Sequence, residues 1–321
     1  MIVKEREIPL KILKLQALLR RLPEPHPKIP IIKQDLAKHL SGYNGEKSID
    51  YYLSFLSNED YHIFHDIRLF DGERFFQIDT LILTSHYALI LEIKNMVGTL
   101  NFDGVFNQLV QTKNGQEKAF PDPIIQINRQ ANQFREWLQL NKLSELPIHG
   151  LVVMSNPQTV LRTNDKSLNQ IIIRSTSLTQ KISELDQLYC NPVLCEKEIK
   201  IISRKIIKRT TPLNSSILEV YKLSEKDLVK GIYCENCNHL PLTRIYGYWK
   251  CSNCTNKTKD SHLKALNDYS LLLGNMITSS QLRNFLLISS PSLATRLMKS
   301  VHANKSGVNK GTVYTLTMDT M

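Results

Sequence analysis

The sequence predicts an α/β protein: a domain of alternating helices and strands, a small cysteine-built ribbon, and a helical tail with a β-like end. Three observations carry this. Helical and short apolar strand patterns alternate between residues 43 and 190. Two Cys-x-x-Cys pairs, Cys234/Cys237 and Cys251/Cys254, stand thirteen residues apart. Beyond them, three helical patterns precede a strand-like run. The 321 residues are 42% hydrophobic and 22% charged, a composition that excludes wholesale disorder. No apolar run approaches the ~20 residues that span a bilayer, and the first ten residues lack the apolar core and cleavage site of a signal peptide. A cytoplasmic protein with no membrane partner is expected.

Taken in order, residues 1–40 read as a helical leader packed on the next domain. It has an apolar-periodic stretch from Ile8 to Leu19, a proline-rich break from Pro23 to Pro30, and a short helix from Ile31 to Leu40 ending near Gly42. The domain at 41–190 begins with a helix, Gly45 to Leu56. Strands follow at Tyr61 to Leu69, Phe75 to Thr84 and Tyr87 to Lys94, the first two joined by an Asp71-Gly72 turn. Asp122-Pro123 opens a helix to about Leu140, with proline at the first turn where its missing donor is harmless. Gly150 to Met154 and Ile171 to Arg174 read as short buried strands. Residues 191–230 form a basic connector with an Ile-rich helix at 194–209, followed by the ribbon at 231–258 and the tail at 259–321.

Charge is uneven. Residues 1–195 hold 22 Lys+Arg against 21 Asp+Glu, whereas residues 196–321 hold 19 against 9. The C-terminal excess either serves solubility or favours polyanions, most often nucleic acid, through phosphate contacts and counterion release.

The strand pair around Ser85-His86 carries the sharpest chemistry. If the hairpin turns symmetrically there, Asp79 faces Glu92 and Gln77 faces Lys94, all on one face of the sheet. Directly opposed acids repel. Two of them amid Ile, Leu and Phe call for a hard divalent cation with oxygen ligands, such as Mg²⁺. A neighbouring lysine then suits metal-assisted hydrolysis of phosphodiesters. Ser-His is not a favoured two-residue hairpin loop, and an odd-length loop would break this register. The plainer reading is a partly exposed sheet with a Glu–Lys pair and a solvated Asp.

Gly45-Glu46, Gln77-Ile78-Asp79, Leu91-Glu92-Ile93-Lys94-Asn95 and Pro123-x-x-Gln126 stand in the order seen in the nuclease-related domain (NERD) family. Roughly residues 40–160 resemble that family, which itself resembles the PD-(D/E)xK nucleases. The resemblance implies a mixed sheet flanked by helices, restriction-endonuclease-like. It implies Asp79 and Glu92 as ligands of Mg²⁺ or Mn²⁺, Lys94 as catalytic lysine, Glu46 as an additional acid and Gln126 as a glutamine near the site. Glu46 also reads as a first-turn acid favoured by the helix dipole, and Gln126 with Gln130 as an i, i+4 surface pair. His62, His65 and His86 read as structural.

The cysteines match a four-thiolate zinc ribbon, in which each pair chelates from one tight turn and the metal supplies much of the stability. Between the pairs, Arg244, Tyr246, Tyr248, Trp249 and Lys250 either grip nucleic acid or form the ribbon's apolar cover. Cys190 and Cys195 read as ordinary thiols. In the tail, Ser261 to Leu273 is one helix, Thr278-Ser-Ser-Gln281 a capping box opening a second, and Ser290-Pro291 the start of a third. With the strand Thr312 to Thr317 this looks like a winged helix-turn-helix. Its third helix would present Ser292, Thr295, Arg296 and Lys299 to a DNA groove, with Lys305 and Lys310 on the wing. Helix-turn-helix shapes also dock proteins.

The leading functional expectation is a Mg²⁺-dependent nuclease in DNA processing whose C-terminal modules hold the nucleic acid. The alternative is a non-catalytic nucleic-acid-binding or regulatory protein on a nuclease-derived fold.

Overall fold

The computed structural model describes residues 1–301, 303–307 and 312–316. A short strand, β1 (Ile2–Lys4), precedes helices α1 (Leu10–Arg21) and α2 (Ile29–Ser48). The chain divides into two compact units, Met1–Ile8 with His39–Leu213, and Pro9–Lys38 with Asn214–Met321. The expected leader is therefore not one segment. Its first residues belong to the first unit and α1 to the second.

Helix α2 also departs from the sequence reading, because it runs through both Gly42 and Gly45 instead of ending near Gly42. The two glycines differ in surroundings. A Cβ on Gly42 would meet nothing within 4 Å, whereas one on Gly45 would lie 2.3 Å from Asn95 Cβ and 2.9 Å from Ser155 Oγ. Gly45 is a close-approach glycine that lets the helix touch the sheet. Gly42→Ala should stabilise by up to ~1 kcal/mol through helix propensity. Gly45→Ala gains the same propensity but should lose about 1–3 kcal/mol to overpacking. Denaturant unfolding of the two variants checks the opposite signs.

The first unit continues with α3 (Asp50–Leu53), β2 (His62–Phe70), β3 (Phe75–Leu83), β4 (Ala88–Lys94), β5 (Thr99–Asp103), β6 (Gln108–Lys113), β7 (Gln116–Pro121), α4 (Pro123–Leu140), β8 (Ile148–Met154), β9 (Val160–Thr163), β10 (Ile172–Arg174), α5 (Leu178–Leu188) and α6 (Glu196–Arg209). Six strands form a mixed sheet in the order β1-β2-β3-β4-β8-β10. β2, β3 and β4 pair antiparallel, while β1 on β2, and β8 on β4 and β10, are parallel. Strand β4 is buried on both faces until its last residue, which explains its near-continuous apolar run. One face packs on α4 and α6 through Ile127, Phe134, Trp137, Ile199, Ile202 and Ile206. The other packs on α3 and α5 through Leu53, Leu178, Ile182 and Leu185. The Ile-rich 194–209 segment is thus a packed helix of this unit and not a free connector.

A second sheet, β7-β6-β5-β9, was not legible in the sequence. Its strands are short and largely polar, with β7 exposed along most of its length. Helix α4 starts as expected, its N-cap Asp122 accepting from Ile124 N at 2.8 Å.

The β3–β4 turn keeps its even length. Thr84 N donates to Tyr87 O at 3.0 Å, and Thr84 Oγ1 accepts from the amides of His86 and Tyr87 at 3.1 and 3.0 Å. The threonine hydroxyl shapes the turn, so Ser-His needs none of the usual hairpin glycines.

In the second unit, α1 and α7 (Ile217–Tyr221) share a core through Leu15, Leu18, Ile217 and Leu218. Arg21 on α1 is fully buried, its Nε giving to Asp268 Oδ2 at 2.8 Å and its Nη1 to Gly231 O at 2.6 Å. That ion pair, which no sequence pattern announces, fixes α1 in this unit. A three-stranded ribbon, β11 (Thr243–Ile245), β12 (Tyr248–Lys250) and β13 (Lys257–Thr258), follows. Then come α8 (Ser261–Leu273), β14 (Met276–Thr278), α9 (Ser279–Leu286), α10 (Pro291–Ser300), β15 (Asn304–Ser306) and β16 (Val313–Thr315). The last three strands form an antiparallel sheet in the order β14-β16-β15, the topology of a winged helix. The capping box is present, with Thr278 N giving to Gln281 Oε1 at 2.9 Å and Gln281 N giving to Thr278 Oγ1 at 3.2 Å. Lys310 and Thr317 lie outside the described residues. No helix among the described residues is long and apolar enough to cross a membrane.

Candidate functional site

Strands β3 and β4 place the acids. Their pairing runs Leu83–Ala88, Ile82–Leu89, Leu81–Ile90 and Thr80–Leu91, the register in which position 79 next opposes position 92. There the regular ladder stops, and Asp79 Oδ2 accepts from Ile93 N at 3.0 Å. Side-chain alternation also breaks at this level. Phe64 and Ile67, and likewise Ile78 and Leu81, share one core although three apart. Asp66, between the first pair, holds a positive φ of 50°. One consequence corrects the expected arrangement: the Gln77 side chain is exposed and does not accompany Glu92, and only its carbonyl serves the site.

Glu92 is buried, with Oε1 accepting from Lys94 Nζ at 2.7 Å and Oε2 from Gln130 Nε2 at 2.8 Å. Lys94 Nζ also gives to Gln126 Oε1 at 3.1 Å. Four helical residues advance ~6 Å and two strand residues ~6.7 Å. Gln126 and Gln130 on α4 therefore match Lys94 and Glu92 on β4 pair for pair. Their spacing serves the facing strand, not each other.

Asp50, Asp66 and Arg6 escaped the sequence reading. Asp66 lies against Glu46, close enough for one carboxyl to hydrogen-bond the other when protonated. Arg6, from the segment after β1, is buried beneath the acids. It gives to Asp50 at 3.0 Å, Glu46 at 3.2 Å, Thr80 Oγ1 at 3.0 Å and lies 3.9 Å from Asp66. A distant arginine carries no periodic signal. Asp66 sits in a strand-like run and shows only as a charge where alternation predicts none.

The electrostatics follow from this crowding. Burial, then Asp66, pushes the Glu46 carboxyl up to about 7 against the opposing pull of Arg6. Burial first, then Glu92 and Glu46, holds the Asp79 carboxyl well above the ordinary range. Asp66 is raised mainly by burial. His65 goes the other way, down to about 3, through burial and the charge of Arg6, and is a neutral structural imidazole.

Two side-chain cations, Arg6 and Lys94, thus contact a cluster holding Glu46, Asp50, Asp66, Asp79 and Glu92. An all-oxygen donor set in which burial and crowding raise Glu46, Asp66 and Asp79 fits a hard divalent cation. The acids are nevertheless set more widely than a ready chelate. Among the described residues, the only group of three or more such ligands with all donor atoms within 4.8 Å is the four cysteines.

A carboxyl whose pKa is raised by folding favours the fold while protonated. That contribution is full below the ordinary value of 4.5 and is lost as pH rises through about 7. Without divalent ions, the melting temperature of the first unit should therefore fall between about pH 5 and about pH 8, and added Mn²⁺ should recover it at the higher pH only. Thermal scans with and without Mn²⁺ check this.

The four cysteines lie close enough together to share one metal ion. Cys234 and Cys254 sulfurs lie 3.6 Å apart, and Cys237 and Cys251 sulfurs 3.5 Å apart. A tetrahedron of ~2.3 Å Zn–S bonds has edges of ~3.8 Å. Both knuckles close alike: the residue after each second cysteine, Asn238 or Thr255, adopts a left-handed φ of 57° or 58°. Amides of Asn253 and Cys254 point at Cys251 Sγ at 3.3 and 3.5 Å. The site fits structural zinc, closed by four thiolates.

Of the residues between the knuckles, Trp249 is buried in the core with Cys234 and Cys251, so it covers the ribbon. Tyr246 is fully exposed at the hairpin tip. The Arg244 guanidinium stacks 4.7 Å over the Trp249 ring, near enough to Arg296 to feel its charge. Lys250 is half-buried on β12. On α10, Ala294, Leu297 and Met298 face the core while Ser292, Thr295, Arg296 and Lys299 are exposed, as is Lys305 on β15.

Residues 41–155 match the family model described as the nuclease-related domain (NERD). This stretch contains Glu46, Asp66, Asp79, Glu92, Lys94, Gln126 and Gln130. The protein thus carries a nuclease-related domain in a mixed sheet flanked by helices, with a four-cysteine ribbon behind it in the sequence. No curated protein and no solved structure matches the chain.

Proposed function

We propose that this protein is a Mg²⁺- or Mn²⁺-dependent nuclease acting in DNA processing. The observation that carries the reading is the convergence of Asp79, Glu92 and Lys94, with Glu46 beside them and Gln126 on Lys94, inside the matched segment. Asp79 and Glu92, assisted by Glu46, would hold the ion. When bound, such an ion polarises a phosphoryl oxygen and lowers the pKa of water. Lys94 meets the charge that develops on the phosphorus oxygens or positions the attacking water, and Gln126 orients the lysine from α4. Gln130 fixes the Glu92 rotamer through its second oxygen.

The exposed cations of α10 and β15, with Arg244 and Lys250 of the ribbon, would grip the nucleic-acid backbone. A reducing cytoplasm suits the chain, since there the four clustered thiols stay available to zinc. Purified protein with Mg²⁺ or Mn²⁺ should cut DNA. Inertness on single-stranded, double-stranded and branched DNA and RNA would count against the enzyme.

One observation favours the second reading, a nucleic-acid-binding or regulatory protein on a nuclease-derived fold. The acids stand too far apart for three to share an ion as placed, and Lys94 already neutralises Glu92. Salt-dependent DNA binding without cutting under any divalent metal would select it.

A further inference from the structure

A cavity of about 590 Å³ opens beside Lys94 and Gln126. Strand β4 and the chain leaving it form one side, and the second small sheet the other. Its apolar walls are Met96, Val97, Leu109, Phe120 and Pro121. Leu109 and Phe120 are cross-strand partners on β6 and β7, as are Gln111 and Lys118, so one face of that hairpin offers a ring, an amide and an ammonium together. The Lys118 ammonium lies 5.2 Å from the Phe120 ring centre, and exposed Lys113 sits at the rim.

The amides lining the cavity are fixed in advance. Asn156 Nδ2 gives to Asn95 Oδ1 at 3.1 Å, Asn95 Nδ2 to Ser41 O at 2.7 Å, and Gln111 Nε2 to Val97 O at 2.8 Å. The Gln111 side-chain oxygen and the Gln126 side-chain nitrogen have no partner among the described residues. An aromatic wall, an open amide acceptor and donor, and cations at the edge form the lining that takes a planar heterocycle carrying polar edges and an attached phosphate.

We infer that this cavity binds the unstacked base of the nucleotide next to the phosphate held at Lys94. The inference deepens the nuclease reading and rests on it for the choice of ligand. It names the substrate class as single-stranded or frayed nucleic acid, because a base inside a continuous duplex stack cannot enter a pocket without being flipped out. The small sheet thereby acquires a role. Its hairpin face is the base platform, and Phe120 is the residue on which the base stacks.

The test measures binding of full-length protein, without added Mg²⁺, to labelled hexathymidylate, hexauridylate and an abasic hexamer with the same phosphates. The abasic strand should bind the wild type about tenfold more weakly than hexathymidylate. Phe120→Ala should erase most of that difference, and Phe120→Trp should keep it, which a merely structural role for the ring would not do. Val97→Trp, which fills the cavity from the other wall, should erase it too. A base-dependent preference that survives both Phe120→Ala and Val97→Trp overturns the inference, as does equal wild-type affinity for all three strands. The deoxy and ribo strands distinguish DNA from RNA as the source of the base. The cutting assay is a separate arm. Base binding at Phe120 with no cutting sinks the nuclease reading alone, whereas cutting without base dependence sinks the cavity alone.

Discussion

Asp79→Asn should lower cutting by about a thousandfold while raising the melting temperature of the metal-free protein. Under the proposed mechanism, the first effect follows from losing an ion ligand worth several kcal/mol in the transition state, at about 1.4 kcal/mol per tenfold in rate. The second follows from the surroundings of Asp79. Its carboxyl is held well above the ordinary range by burial and by Glu92 and Glu46. A neutral amide relieves that repulsion and keeps an oxygen to accept from Ile93 N. Activity and stability thus move in opposite directions, as expected where acids are assembled for an ion and not for the fold. A solvated surface aspartate would move neither, and an aspartate serving only to cap Ile93 would show no activity loss. Glu92→Gln is a less clean variant. Both its oxygens accept, from Lys94 and Gln130, and an amide would set a donor against one of them. Cutting at the wild-type rate by Asp79→Asn would remove this residue from the mechanism.

Stripping the cysteine site should unfold much of the second unit. Apparent zinc-binding energies in four-ligand modules are ~10–16 kcal/mol, comparable with or above the ~5–15 kcal/mol that holds a typical domain. Here the loss does not stay in the ribbon. Cys234 and Cys251 are buried in the same core as Trp249, Leu266, Phe285 and Leu297, so α8, α9 and α10 share its fate. The chain has two tryptophans, and Trp137 is buried in the first unit. A Trp137→Phe background leaves Trp249 as sole reporter. Cys251→Ser in that background, or chelation of the wild-type site, should red-shift its emission and halve or abolish salt-dependent DNA binding. Unchanged emission with metal removed would show that packing alone sustains the module.

How much of this was visible beforehand differs by element. The β3–β4 register from Leu83–Ala88 to Thr80–Leu91 was legible because strands have a period of two and the turn length is even. Helices α4, α8, α9 and α10 were legible because Asp122, Thr278 and Ser290 announce their first turns and Leu273 precedes a glycine. The cysteine cluster was legible because its spacing leaves few other chemistries. The second sheet was not, since its strands are short, polar and partly exposed and so lack alternation. Gly42 and Gly45 misled because composition cannot tell a helix breaker from a glycine that makes room for Asn95. Gln77 misled because the change of face at Asp66 and Asp79 leaves no mark in hydropathy. Arg6, Arg21 and Asp66 act through partners dozens to hundreds of residues away, a kind of information that local patterns do not hold.

The winding path between the units has a practical side. The polypeptide leaves the first unit after Ile8, returns at His39 and leaves again after Leu213. No single peptide-bond scission can sort its halves into two finished pieces. A gene fragment beginning at Asn214 would encode the ribbon and all that follows, yet strand Asp268 inside an oily interior with neither Arg20 nor Arg21 to answer its charge. Anyone dissecting this protein would do better to graft residues 9–38 back onto such a fragment than to trim it further.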